Sequence, residues 1–176
     1  MLDTLITSKT RIKLLLKFFL NSNSNSYLRA LESEFGESSN AIRLELNRFE
    51  DAGLLKSNFS ANKKIFNANT SHPLFNDIHN ILLKYIGLDH IIDEVVIKLG
   101  KVKFVYLLGD FAKGKDGKII DLLFVGENID RDFLLKLIDK AEKLIKRKIR
   151  FLLLGEDESE KYIKEIDKSE LLLLWK

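Results

Sequence analysis

Apolar positions along the first third of the chain repeat with the period of a helix. Ile12, Leu15, Leu16 and Phe19 stand at i, i+3, i+4 and i+7, one face of a helix, while Lys9, Lys13 and Lys17 take another face. Residues 21–26 alternate Asn and Ser and read as a polar loop, with Ser26 as the cap of a second helix over residues 27–35. Leu28 and Leu31 supply that helix's apolar side, and Gly36 its stop. Ser38 or Ser39 caps a third helix that ends at Gly53, with Ile42, Leu46 and Phe49 inward and Asn40, Arg43 and Asn47 on the opposite face. After Gly53 the period shortens. Residues 54–59 and 64–68 are strand candidates, and the turn between them, residues 60–63, carries basic residues at its tip.

The single proline, Pro73, breaks this pattern, and a domain boundary is expected just before it. A connecting helix follows, with Phe75, Ile78, His79 and Leu82 on one face and Gly87 as its end. A second, carrying Ile91, Ile92, Val95, Val96 and Leu99, is expected to stop at Gly100. Beyond it strands and helices alternate. Residues 102–108, 119–125 and 148–154 read as strands. Asp130 caps a helix expected to bury Phe133, Leu134, Leu137, Ile138, Ala141, Leu144 and Ile145, and Asp157 with Glu160 starts another. The apolar run Leu171–Trp175 needs a covering surface, either the sheet or another subunit. The expected class is α+β: three helices and a β-hairpin over residues 1–71, connecting helices over 72–100, and a small mixed-sheet α/β domain over 101–176.

Composition narrows the chemistry. With 45% hydrophobic residues among 176, the chain has apolar surface enough for two small cores and is not a disordered tail. It has no cysteine, which excludes disulfides, thiolate metal ligands and a cysteine nucleophile. His79 and His90 lie on separate helices without ligand spacing, so no metal site is expected. No apolar run approaches the roughly 20 residues that span a bilayer, and charged residues precede any apolar run at the start. A soluble cytoplasmic protein without a membrane partner is therefore expected. The net charge of +3 is unevenly placed: residues 1–71 hold ten Lys/Arg against seven Asp/Glu, whereas residues 72–176 hold nineteen of each.

Three helices followed by a hairpin is the layout of a winged helix. Its third helix enters the major groove, where Arg pairs with guanine and Asn with adenine. Ser39, Asn40, Arg43 and Asn47 are the candidates there. Lys63 and Lys64 at the hairpin, with Lys9 and Arg11 (and Lys13) at the first helix, are candidates for phosphate contacts. The stretches Ser8-Lys9-Thr10-Arg11-Ile12-Lys13-Leu14-Leu15, Tyr27-Leu28-Arg29-Ala30-Leu31 and Leu44-Glu45-Leu46-Asn47-Arg48-Phe49-Glu50-Asp51-Ala52-Gly53-Leu54-Leu55 resemble the ArsR and MarR winged-helix regulators. The resemblance covers about residues 5–70. It implies a transcriptional regulator that binds double-stranded DNA, with a homodimer to supply the second half-site.

A second resemblance lies in Leu108-Gly109-Asp110-Phe111-Ala112-Lys113-Gly114 followed by Ile119-Ile120-Asp121-Leu122-Leu123-Phe124-Val125-Gly126. It is similar to the minimal members of the nucleotidyltransferase superfamily, whose pattern is Gly-Ser-x-Ala-Arg-Gly and then Asp-h-Asp on the next strand. Gly109, Ala112 and Gly114 agree and Lys113 replaces the Arg, but Asp110 stands at the Ser position. Of the metal-binding carboxylate pair only Asp121 survives, and Arg150 falls where a third acid is needed. The resemblance therefore implies a degenerate, non-catalytic domain for dimerisation, ligand or partner binding. Gly109, Asp110, Lys113 and Gly114 would be a vestigial nucleotide site, Asp121 a vestigial catalytic residue, and no cofactor would be required. Asp110 and Asp121 facing each other would be a new site, and Lys113, Lys115 and Lys118 can attract a phosphate. The alternative is a Mg²⁺-dependent nucleotidyltransferase, antitoxin-like, that modifies a partner protein. A third reading is a non-catalytic binder of a small helical partner.

Overall fold

The structure, a computed structural model, describes residues 2–99 and 101–176. The expected helix stop at Gly100 lies outside them. The chain divides into two compact units, Met1–Leu82 and Leu83–Lys176. It is α+β, with a three-stranded and a four-stranded sheet among the described residues.

The first unit opens with α1 (Leu2–Leu5) and α2 (Lys9–Leu15). Ser8 caps α2, its hydroxyl accepting the Arg11 N–H at 3.2 Å. The helix continues as a π-helical turn (Leu16–Leu20). That wider turn shifts the apolar stripe, and Leu16, Phe18, Phe19 and Leu20 are all buried. β1 (Asn25–Tyr27) comes next, then α3 (Leu28–Phe35) and α4 (Ser39–Asp51). The cap expected at Ser26 does not form. Ser26 lies inside β1 opposite Phe66, and α3 starts one residue after Tyr27 with no side-chain cap. Tyr27, expected in the helix, is extended for the same reason. Gly36 ends α3 in the left-handed region, at φ 63°. Ser38 caps α4 through the Ala41 N–H at 3.3 Å.

β2 (Leu55–Ser60) and β3 (Lys63–Ala68) form the hairpin, whose turn is tighter than expected: only Ala61 and Asn62 lie between the strands. All pairing is antiparallel, in the order β1-β3-β2. The core collects the positions the helical period selects, Ile12, Leu15, Leu16, Leu31, Ile42, Leu46 and Phe49, joined by Leu14 and by Leu55 and Phe66 from the hairpin. Phe19 ties them together, edge-on to Phe49 with ring centroids 6.5 Å apart and tilted on Phe75 at 5.6 Å. Each of these side chains contributes about 1.5–3 kcal/mol by leaving water. α5 (Phe75–Ile86) follows, and the boundary between the units falls within it. His79, at its centre, makes a 2.8 Å hydrogen bond to the Phe19 carbonyl.

The second unit holds α6 (Leu88–Ile91), extended by a π-helical turn (Ile92–Val96) and α7 (Ile97–Leu99). β4 (Val102–Leu108), α8 (Gly109–Ala112), β5 (Ile119–Gly126), α9 (Arg131–Ile145), β6 (Lys148–Leu154), α10 (Glu156–Glu165) and β7 (Leu171–Trp175) complete it. The sheet order is β6-β5-β4-β7. β5 and β6 are parallel and the other pairs antiparallel, so the sheet is mixed as the alternation suggested. A parallel pair needs a crossover, and α9 supplies it. Asp130 caps α9 by accepting the Asp132 and Phe133 N–H groups, both at 3.0 Å. Leu134, Leu137, Ile138 and Ala141 are buried as expected, but Phe133 and Leu144 are 41% and 52% exposed. Those two lie at the margins of the apolar stripe and face solvent. α10 starts at Glu156 with Gly155 as cap, ahead of the expected Asp157. Leu171–Trp175 pairs with β4 as an edge strand. No helix among the described residues is long and apolar enough to cross a membrane.

Candidate functional site

In the first unit a cleft of about 530 Å³ opens between the start of α3, the outward face of α4 and the tip of the hairpin. Its floor is apolar, from Leu28, Leu46 and Phe66, and its rim is basic, from Arg29, Arg43, Lys63 and Lys64. Asn47 and Asn62 add amide groups. Arg43 and Asn47 are exposed because the period that buries Ile42 and Leu46 turns them outward. Lys63 stands 4.2 Å from the centre of the Tyr27 ring, which positions its ammonium by a cation–π contact. Lys64 is held differently: its ammonium lies 2.6 Å from Glu50, which also accepts the Ser57 hydroxyl. The Lys64 hydrogen bond, with that of Ser57, holds the Glu50 carboxyl below its usual range. Among the described residues neither Arg29 nor Arg43 has an ion-pair partner.

The remaining candidates of this unit lie apart from the cleft. Ser39 and Asn40 open α4 but do not line it, and Lys9 is exposed at the start of α2. Arg11 grips Glu45 with both arms of its fork, at 2.8 and 3.1 Å. Arg48 adds a third bond to Glu45 at 3.1 Å. Burial pushes the Glu45 carboxyl up, and the Arg11 hydrogen bonds with the charges of Arg11 and Arg48 outweigh it, so the net displacement is downward. Lys13 bonds Glu37 at 2.7 Å and Lys17 bonds Glu34 at 3.0 Å. Three cations of α2 and its extension thus brace the helices. Arg29 and Tyr27, both in the cleft, were not singled out from the sequence. The hint available was Arg29 at the opening of the second helix, one of ten cations in the basic segment.

In the second unit Gly109 ends β4 and begins α8 at φ 63°, a conformation glycine adopts freely. A Cβ there would stand 3.4 Å from the Asp121 Oδ2, so the backbone passes close to that carboxylate. The parallel register sets Asp121 opposite Arg150. The guanidinium takes both carboxylate oxygens, Nε to Oδ1 at 2.6 Å and Nη2 to Oδ2 at 2.8 Å. Gly109, Asp121, Arg150, Tyr162 and Glu170 line a groove of about 450 Å³. Lys113 is 2.7 Å from Glu170, whose hydrogen bond raises the lysine's pKa. Asp110 is exposed, Gly114 is buried, and neither lines this groove. Lys118 lines a different groove, with Lys143, Lys146 and Arg147.

These residues do not fit a divalent cation. Mg²⁺ requires free carboxylate oxygens, and both of Asp121's face a guanidinium. No group of three or more His, Asp or Glu able to hold a metal occurs among the described residues.

No family model matches this sequence. No curated protein matches it. Among solved structures the chain is similar to a candidate nucleotidyltransferase from Sulfolobus solfataricus, at 22% identity over 55% of this chain and 82% of that one, with a TM-score of 0.37. A likeness at that level carries no inference to this chain's chemistry.

Proposed function

We propose that the first unit is a winged helix that binds duplex DNA and that the chain is a transcriptional regulator. One observation carries the reading: Arg43 and Asn47 of α4, Arg29 of α3 and Lys63 of the hairpin line a single cleft. Those are the three elements that a winged helix presents to DNA, and their side chains are those that pair with base edges and phosphates. The cations braced against Glu45, Glu37, Glu34 and Glu50 make the fold, and Arg29, Arg43 and Lys63 of the cleft rim make the contact. The second unit, on this reading, is a nucleotidyltransferase-like domain without catalysis that serves a homodimer, a ligand or a partner protein. The fork between Arg150 and Asp121 supports that part, because it occupies the one carboxylate the motif retains.

Fluorescence anisotropy with duplexes from the gene's own upstream region tests the proposal. Binding should weaken as salt rises, and Arg43→Ala should lose about 1–3 kcal/mol of affinity and relax sequence preference. Undetectable binding at low salt sinks the reading. Titration of the protein with ATP and Mg²⁺ tests the second unit: heat of binding that disappears in Asp121→Asn would replace the non-catalytic assignment with a nucleotidyltransferase.

A further inference from the structure

The proposed contact with a duplex uses the rim of the first unit's cleft and leaves its floor without a role. Leu28, Leu46 and Phe66 carry no group that pairs with a base edge or a phosphate. In a paired duplex the bases stack on one another, so none has a free face to lay on that floor. The recess, about 530 Å³, has the size of a small-molecule site. Its charge sets the class of ligand. Ten residues line the cleft; four are cations and none is an acid. Glu50 answers Lys64. Arg29, Arg43 and Lys63 have no ion-pair partner among the described residues, and the Tyr27 ring holds the Lys63 ammonium at 4.2 Å. Three such cations over an apolar floor suit an anion of more than one charge on a flat body. A monocarboxylate leaves two of the three unanswered. A phosphate ester meets them, because guanidinium forks take its oxygens in pairs and an ammonium takes another. Asn47 and Asn62 each add an amide with one acceptor and two donor hydrogens, the complement of a heterocycle's edge.

We propose that this cleft binds a free nucleotide, its base on the floor of Leu28, Leu46 and Phe66 and its phosphates at Arg29, Arg43 and Lys63, and that a nucleotide bound there displaces duplex DNA. The protein's own cations supply the charge that the phosphates need, so the binding requires no metal ion. The site belongs to the first unit and is not the groove at Asp121. Displacement follows from shared residues: Arg43, Asn47 and Lys63 cannot serve a duplex and a nucleotide at once. That part rests on the DNA-binding reading; the binding of the nucleotide itself does not.

The experiment titrates the whole chain with ADP in the presence of EDTA, following heat and backbone amide shifts, with adenosine and pyrophosphate as the two halves of the ligand. ADP should bind and shift amides at residues 27–29, 43–47 and 62–66. Adenosine and pyrophosphate should each bind at least roughly tenfold more weakly than ADP, and Arg29→Gln should weaken ADP roughly tenfold while keeping the wild-type melting temperature. Labelled upstream duplex should leave the protein as ADP is added. No binding at millimolar ADP, shifts confined to the second unit, pyrophosphate binding as tightly as ADP, or an Arg29→Gln variant with wild-type affinity overturns the nucleotide site and leaves the DNA-binding reading intact. A duplex that stays bound at saturating ADP overturns the displacement. A chain that binds ADP in the cleft but no duplex overturns the DNA-binding reading, and the displacement with it, and supports the nucleotide site.

Discussion

The two units use their charges in opposite ways. In the first, Glu45, Glu37 and Glu34 tie down Arg11, Lys13 and Lys17, and Glu50 holds Lys64 at the cleft rim, whereas Arg29, Arg43 and Lys63 line the cleft without an ion-pair partner among the described residues. In the second, the groove contains its own counter-ion, because Arg150 closes on Asp121. A field reaches a polyanion only where it is not cancelled at source. A cation placed across the strand register from a carboxylate satisfies both of its oxygens.

The largest expected effect tests the first half of that contrast. Glu45 is 5% exposed, and replacing it with Gln leaves Arg11 and Arg48 without their anion. The cost should be about 2 kcal/mol, below that of a fully buried pair because both arginines reach solvent. Its sign with pH follows from the depressed carboxyl. The stabilisation is present above the unfolded value of 4.5 and is lost as pH falls through the lower folded value. Urea midpoints measured from pH 7 to pH 3 should drop for wild type and stay flatter for Glu45→Gln. Parallel curves would mean that Glu45 does not brace the unit.

A smaller effect is expected across the second unit's fork. Arg150 is 67% exposed at its side chain, so Arg150→Ala should leave the melting temperature close to wild type. If melting falls as far as for Glu45→Gln, the two ion pairs are alike and the contrast fails. The smallest effect belongs to the hairpin turn. Ala61 has φ 51°, where a Cβ is strained, and Ala61→Gly should stabilise by roughly 0.5 kcal/mol after the entropy of the unfolded glycine is subtracted. Thermal melts resolve it in combination with the Glu45 variant. A destabilised Ala61→Gly would count against the left-handed turn geometry at the tip of the hairpin.

Much of the layout was legible in the chain because local periodicity decides it. The inward set Ile42, Leu46 and Phe49 and the outward pair Arg43 and Asn47 follow from 3.6 residues per turn, and the structure buries and exposes them accordingly. The strand order of the second unit was less direct. Asp121 and the cation at Arg150 were visible as residues, but their fork depends on β5 and β6 pairing in parallel register. β1 was not legible: Asn25–Tyr27 is three residues long, shows no alternation, and is a strand only because β3 pairs with it.

The sequence by itself determined the period of each helix, the cap at Asp130, the absence of thiol chemistry and the basic bias of the first segment, and narrowed the cap of α4 to Ser38 or Ser39. Only the tertiary structure decided which cations remain available. Arg11 meets Glu45 across 34 residues and Lys13 meets Glu37 across 24, whereas Arg29, Arg43 and Lys63 line one cleft. The physical reason is range. Periodicity and capping act within a few residues and can be read along the chain, while charge pairing acts through space and depends on which helices the core brings together.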